Sequence, residues 1–196
     1  MRLYHVRGSR SGRVLWLLEE IGAPYDITLL QRGEQRSDEH RKRHPLGRVP
    51  VADDGEGFLW ESAALCLQIA DLHPEAALIP PVGTHERGLV YQWVMYAMAE
   101  LEPAVVDTLR SDEEQAVQRG RERFAANVVA VEQELDGKEF LVGDRFTVAD
   151  LVVGGVLAFG ARGGLLEGFP RSAAYAERLR ERDAWKRAGE IGKPAE

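Results

Sequence analysis

Apolar residues in the first 75 positions recur with two different periods. RLYHV (residues 2–6) and YDITLL (25–30) are short, β-rich runs that read as strands, while SGRVLWLLEEIG between them repeats its apolar residues at helical spacing and stops at Gly22. DEHRKRH then reads as a short polar helix or turn and RVPVAD as a third strand. DDGEG is a hairpin turn into a fourth strand, FLW. ESAALCLQIADLH places Ala63, Leu67 and Ala70 on one face, widened by Leu65, Ile69 and Leu72, and ends before Pro74. The predicted order is βαβ followed by αββα.

PEAALIPPVG (74–83) holds three of the nine prolines and reads as a linker. Beyond it the period is helical throughout, with segments from Glu86 to Thr108, Asp112 to Asp136, Val148 to Ala161, and Arg171 into the tail. The chain therefore divides into an α/β module over residues 1–75 and an all-helical module over 84–196. Within the second, FTVADLVV spells a capping box: Thr147 covers the first-turn N–H groups, Asp150 reaches back to the Thr147 N–H, and Phe146 staples onto Leu151.

Composition narrows the function classes. The 196 residues are 44% hydrophobic and 29% charged, as in a soluble globular protein, and no apolar run has the ~18 residues a membrane span requires. The charged start MRLYHVRGSRSGR lacks the apolar core of a secretory signal, so a cytoplasmic location is expected. A net charge of −7 gives nucleic acid no general attraction, and the basic island from Arg36 to Arg48 reads as a solvated face. Cys66 is the single cysteine and the five histidines show no metal-ligand spacing, so neither a disulfide nor a metal site is expected. Cys66 itself sits in an apolar helical run and reads as a buried, inert thiol.

Three stretches of the first module can carry chemistry. In HVRGSRSGR a strand ends at a glycine and a helix begins, which sets Ser9 or Ser11 at the positive end of that helix, one of them as its N-cap. In VPV the proline cannot donate to a sheet and belongs at an edge or a strand start. By residue type alone a trans Val49–Pro50 bond is expected, whereas a cis bond would turn the Val49 N–H and C=O outward to receive an extended peptide. In WESAAL, Glu61 and Ser62 open a helix, so Ser62 can hold a carboxylate and Glu61 an ammonium, or both can be ordinary caps.

LYHVRGSRSGRVLWLLEEIGAPYDI, HPLGRVPV, WESAALCLQIADLHP and FLVGDRFTVADLVV, in this order and at these separations, resemble the glutathione S-transferase family over nearly the whole chain. The resemblance is to a cytosolic, serine-type, bacterial-like member. It implies a thioredoxin-like N-terminal domain (βαβαββα), an all-helical C-terminal domain, a homodimer, and glutathione as cosubstrate in the detoxifying conjugation of small hydrophobic electrophiles. It also implies a cis Val49–Pro50 bond. Carried over position by position, Ser9 stabilises the thiolate, with Ser11 the alternative if the loop is shifted by two. Val49, beside Pro50, pairs with the cysteinyl backbone, Arg48 meets the glycine carboxylate with help from Arg10 and Arg36, and Glu61 with Ser62 holds the γ-glutamyl end. The electrophile is expected in a cleft against the helix from Glu86, with Met95, Tyr96 and Met98 as pocket residues and Trp93 and Leu101 beside them. Tyr4 lies inside the first strand and His5 replaces an aromatic residue often seen in the family, so a tyrosine mechanism is not expected. The alternative function is a glutathione transferase fold kept as a non-catalytic scaffold or regulatory module.

Overall fold

The computed structural model describes residues 1–193, which form two compact units, Met1–Ala76 with the chain from Arg182 onward, and Ala77–Glu181. The first is α/β and the second all-helical. The residue-based division assigned the whole tail to the helical module; the chain from Arg182 instead packs with the first unit.

In the first unit, β1 (Arg2–His5), β2 (Asp26–Leu29), β3 (Val51–Asp53) and β4 (Phe58–Trp60) make one sheet in the order β2-β1-β3-β4. β1 runs parallel to β2 and antiparallel to β3, and β3 is antiparallel to β4. α1 (Ser11–Ile21), α2 (Asp38–Arg41) and α3 (Ser62–Leu72) complete the βαβαββα order. β3 is an inner strand, not the open edge that a proline between two valines suggested. The two facts are compatible because Pro50 stands one residue ahead of the ladder, so its missing N–H removes no sheet bond. The Val49–Pro50 peptide is cis. The hairpin between β3 and β4 closes through the Asp54 carboxylate, which accepts from the Glu56 and Gly57 N–H groups.

α1 ends at Gly22, left-handed at φ 71°, whose N–H returns to the Leu18 carbonyl. Seven residues of α1, among them Val14 to Leu18, are buried, because α3 and α9 (Asp183–Glu190) both pack on it. The clasp to α9 is polar at its rim. The Trp16 indole N–H donates to Glu20, the same carboxylate takes both a 2.6 and a 2.8 Å bond from Arg182, and the Trp185 ring stands edge-on to Trp16 at 4.7 Å.

In the second unit, the helix expected from Glu86 to Thr108 is two helices, α4 (His85–Tyr96) and α5 (Glu102–Arg110), joined by a π-helical turn over Ala97–Leu101. Pro103 explains the break: it has no N–H to give the Ala99 carbonyl four residues back. That carbonyl is taken instead by Arg123 at 3.0 Å, and the next one, Glu100, by Asn127 at 3.3 Å, both from α6 (Glu114–Glu134). α5 and α6 approach closely at Gly120, where a Cβ would stand 2.8 Å from the Thr108 backbone nitrogen. The expected final helix is likewise divided, into α8 (Pro170–Arg180) and α9.

α7 (Val148–Ala161) carries the capping box predicted at its start. Asp150 is wholly buried and accepts four hydrogen bonds, from the Leu141 N–H, the Thr147 N–H and hydroxyl, and the Tyr175 hydroxyl of α8, at 2.8 to 3.0 Å. Burial raises its pKa above the usual carboxylate range against the pull of those four donors. Asp150→Ala strands two buried N–H groups and two hydroxyls, each costing about 1 to 3 kcal/mol. We expect a loss of about 3 kcal/mol or more in unfolding free energy, read from the midpoint and slope of urea denaturation.

Candidate functional site

The loop from Val6 to Ser11 turns the end of β1 into the start of α1. Gly8 sits at φ 72°, and the Ser9 N–H closes back onto the Val6 carbonyl at 3.2 Å. Ser9 is half-buried and precedes the N-cap position, Arg10; its hydroxyl oxygen accepts from the Ser11 N–H at 3.3 Å and so serves one N–H of the first turn. Ser11 is fully enclosed, and its hydroxyl lies 2.6 Å from the Ser9 hydroxyl and 2.7 Å from His5 Nδ1, with the Val6 N–H donating to it at 3.3 Å. Burial lowers the His5 pKa to about 4. A neutral imidazole and two serine hydroxyls thus form a chain from the sheet interior to the positive end of an eleven-residue helix.

The second element is the turn before β3. Gly47 adopts φ 58°, and a Cβ there would stand 2.8 Å from the Gln35 carbonyl, so only glycine fits. His40, buried on α2, donates from Nε2 to the Arg48 carbonyl at 2.8 Å and fixes the peptide ahead of Val49. Among the described residues no hydrogen bond engages the Val49 N–H or C=O. Arg48 is exposed, as is Arg36, while Arg10 is half-buried.

The third is the start of α3. Glu61 takes φ 73° and ψ 110°, a conformation a residue other than glycine holds at a cost of about 1 to 3 kcal/mol, and its side chain makes no capping bond. Ser62 is buried, and its hydroxyl accepts from Arg13 of α1 at 2.9 Å, which leaves the hydroxyl proton to donate elsewhere. The three elements meet in one sheet unit: β1 leads into the serine loop, β3 follows the Val49 turn as its neighbour, and α3 packs on α1.

Residue-based reading missed His5 as a partner of the serines, Arg13, His40 and Gly47. Arg13 did leave a trace, as a charged residue directly ahead of the apolar run Val14 to Leu18. In the helical unit, Met95 is 62% exposed and Met98 half-buried, whereas Trp93 and Leu101 lie in that unit's core. Tyr96 commits its hydroxyl to the Asn127 carbonyl at 2.8 Å. Cys66 is buried and its thiol pKa is pushed up to about 12. No group of three or more His, Cys, Asp or Glu that could hold a metal occurs among the described residues, nor is any of their helices long and apolar enough to cross a membrane.

The profile of the glutathione S-transferase N-terminal domain matches residues 1–71, and that of the C-terminal domain matches residues 76–183. The probable glutathione S-transferase GSTF2 of Oryza sativa subsp. japonica is 29% identical over 199 residues, covering 93% of this chain and 92% of that protein. Glutathione S-transferase GstA of Escherichia coli O157:H7 is 28% identical over 189 residues, covering 93% and 94%. Among solved structures, a sphingomonad glutathione S-transferase complexed with glutathione superposes with a TM-score of 0.88 at 25% identity, over 97% of this chain and 98% of that one.

The buried histidine makes stability depend on pH. The unfolded chain takes up a proton at His5 near 6.5 and the folded one near 4, so this contribution is complete above 6.5 and is lost as pH falls toward 4. The slope is about 1.4 kcal/mol per pH unit, or about 3 kcal/mol across the window. His44, lowered by burial, acts in the same direction, and Asp150 in the opposite one. Chemical denaturation between pH 7 and 4 should show a shallower loss in His5→Asn than in wild type.

Proposed function

This chain belongs to the glutathione S-transferase family, and on that premise we propose that it is a cytoplasmic, homodimeric enzyme that adds the glutathione thiolate to small hydrophobic electrophiles, with Ser9 as the thiolate stabiliser. The observation that carries the choice of Ser9 is the difference between the two serines: Ser11 is fully enclosed, and Ser9 is half-buried at the start of α1. Only Ser9 can touch an added ligand.

A thiol attacks as its thiolate, so the site must favour the ionised form. A hydroxyl donating to sulfur at a helix N-terminus does so with two aligned dipoles. Val49, with its N–H and C=O uncommitted, pairs with the cysteinyl unit of the tripeptide as one added strand, and Pro50 ends that pairing. Arg48 faces the glycine carboxylate, with Arg10 and Arg36 as further cations. The Ser62 hydroxyl proton and first-turn N–H hold the γ-glutamyl carboxylate, while Glu61 takes its ammonium. Arg13, bonded to Ser62, adds positive charge behind that carboxylate. Met95, Met98 and the Tyr96 ring offer an adaptable apolar surface for the electrophile.

Conjugation of a chloronitrobenzene by wild type and Ser9→Ala tests the reading. The sulfur displaces chloride from the ring, and loss of a hydrogen bond to a charged sulfur, worth about 1.5 to 3 kcal/mol, should slow turnover about tenfold to a hundredfold at saturating glutathione. Equal rates would remove Ser9 from the mechanism. A wild type that binds glutathione in calorimetry yet conjugates nothing would point to the scaffold alternative.

A further inference from the structure

The hydroxyl chain behind Ser9 has a direction, and His5 sets it. Each serine hydroxyl can donate once and accept twice. A fixed backbone donor already fills one acceptor place on each oxygen: the Val6 N–H on Ser11 and the Ser11 N–H on Ser9. Two arrangements of the remaining protons satisfy the 2.7 and 2.6 Å contacts. If His5 donates from Nδ1, Ser11 accepts it and passes its own proton to Ser9, whose proton is then left over to point away from the chain. If Nδ1 accepts, Ser11 turns its proton inward, Ser9 donates to Ser11, and no proton remains for a ligand.

We propose that His5 is a positioning residue for the glutathione sulfur: by donating from Nδ1 to the buried Ser11 hydroxyl it turns the Ser11 proton onto Ser9 and frees the Ser9 proton for the thiolate. The inference rests on the assignment of Ser9 to the sulfur. The imidazole is 3% exposed, and with its proton affinity depressed by burial it is neutral at neutral pH, so Nδ1 is either donor or acceptor and the tautomer decides the polarity. Among the described residues nothing engages Nε2, so no protein group holds the proton there against the Nδ1 form. A thiolate beside Ser9 accepts only from the outward arrangement and selects it. The chain acts as a unit, because short contacts between hydroxyls polarise one another.

The test reads the pKa of the bound glutathione thiol from its ultraviolet thiolate absorption in complexes with wild type, Ser9→Ala, Ser11→Ala, His5→Leu and His5→Asn. Ser11→Ala and His5→Leu should each raise that pKa by about half to one unit, a threefold to tenfold loss of thiolate near neutrality, with the dissociation constant for glutathione within about threefold of wild type. The double variant His5→Leu with Ser11→Ala should lie no higher than Ser11→Ala. His5→Asn, whose amide nitrogen stands where Nδ1 stood, should restore a value close to wild type; a purely structural role for the ring would not. Should His5→Leu fail to fold, His5→Gln, which keeps a polar side chain but sets its amide at the Nε2 place and leaves Ser11 without the Nδ1 donor, carries the test and should show the same raised value. Wild-type pKa values in Ser11→Ala and His5→Leu, beside a raised value in Ser9→Ala, would overturn the role of His5 while leaving Ser9 in place. A wild-type value in Ser9→Ala itself removes the thiolate assignment and this one with it.

Discussion

A hydroxyl taken out of water has to find both an acceptor for its proton and donors for its oxygen, and the first turn of α1 is arranged around that demand at Ser11. The residue is fully enclosed between the end of β1 and its own helix. The Val6 N–H donates to its oxygen, His5 Nδ1 lies 2.7 Å away at the end of β1, and the Ser9 hydroxyl takes up the other side. Because the same contacts that satisfy Ser11 also hold the more exposed Ser9 at the helix start, folding and site construction are one problem here. The half-buried hydroxyl is fixed by a buried one.

The same requirement recurs where the chemistry is absent. Asp150 gathers four donors from a loop, a cap and a neighbouring helix; the Ala99 carbonyl released ahead of Pro103 is taken by Arg123, and the Glu100 carbonyl beside it is met by Asn127. In each case a polar group that the regular ladder cannot serve is met by a side chain from the next element, which fixes how those elements pack. Glu61 is the exception. Its left-handed backbone is held without any side-chain bond of its own, a local cost of the kind that binding turns accept.

Element type was legible wherever the apolar period was long or a local signal was strong: α1 with its Gly22 stop, the Asp54 hairpin, and the capping box at Thr147. What escaped depended on contacts distant in sequence. That β3 is an inner strand follows from pairing with β4 as well as β1, which a run of residues around Pro50 cannot reveal. Pro103 did carry a readable warning inside a supposedly continuous helix, but the α6 side chains that take the carbonyls ahead of it are more than twenty residues away in sequence. No proline or glycine marks the break in sequence between α8 and α9. As for the serines, both candidate positions were visible, yet which one faces inward turns on the geometry of a five-residue loop rather than on any periodicity.

The clasp of Arg182 and Trp185 on α1 has a consequence for how the protein is made. Unit one is assembled from two stretches of the polypeptide that flank the helical unit, with Glu20 in the first and Arg182 in the second. While the chain is still being synthesised, the side of α1 around Trp16 therefore stays uncovered until the stretch that carries Arg182 and Trp185 has been made. The helical unit, continuous from Ala77 to Glu181, has all of its own residues in hand before the N-terminal one does. Of the two units, the one begun first is thus the one completed last.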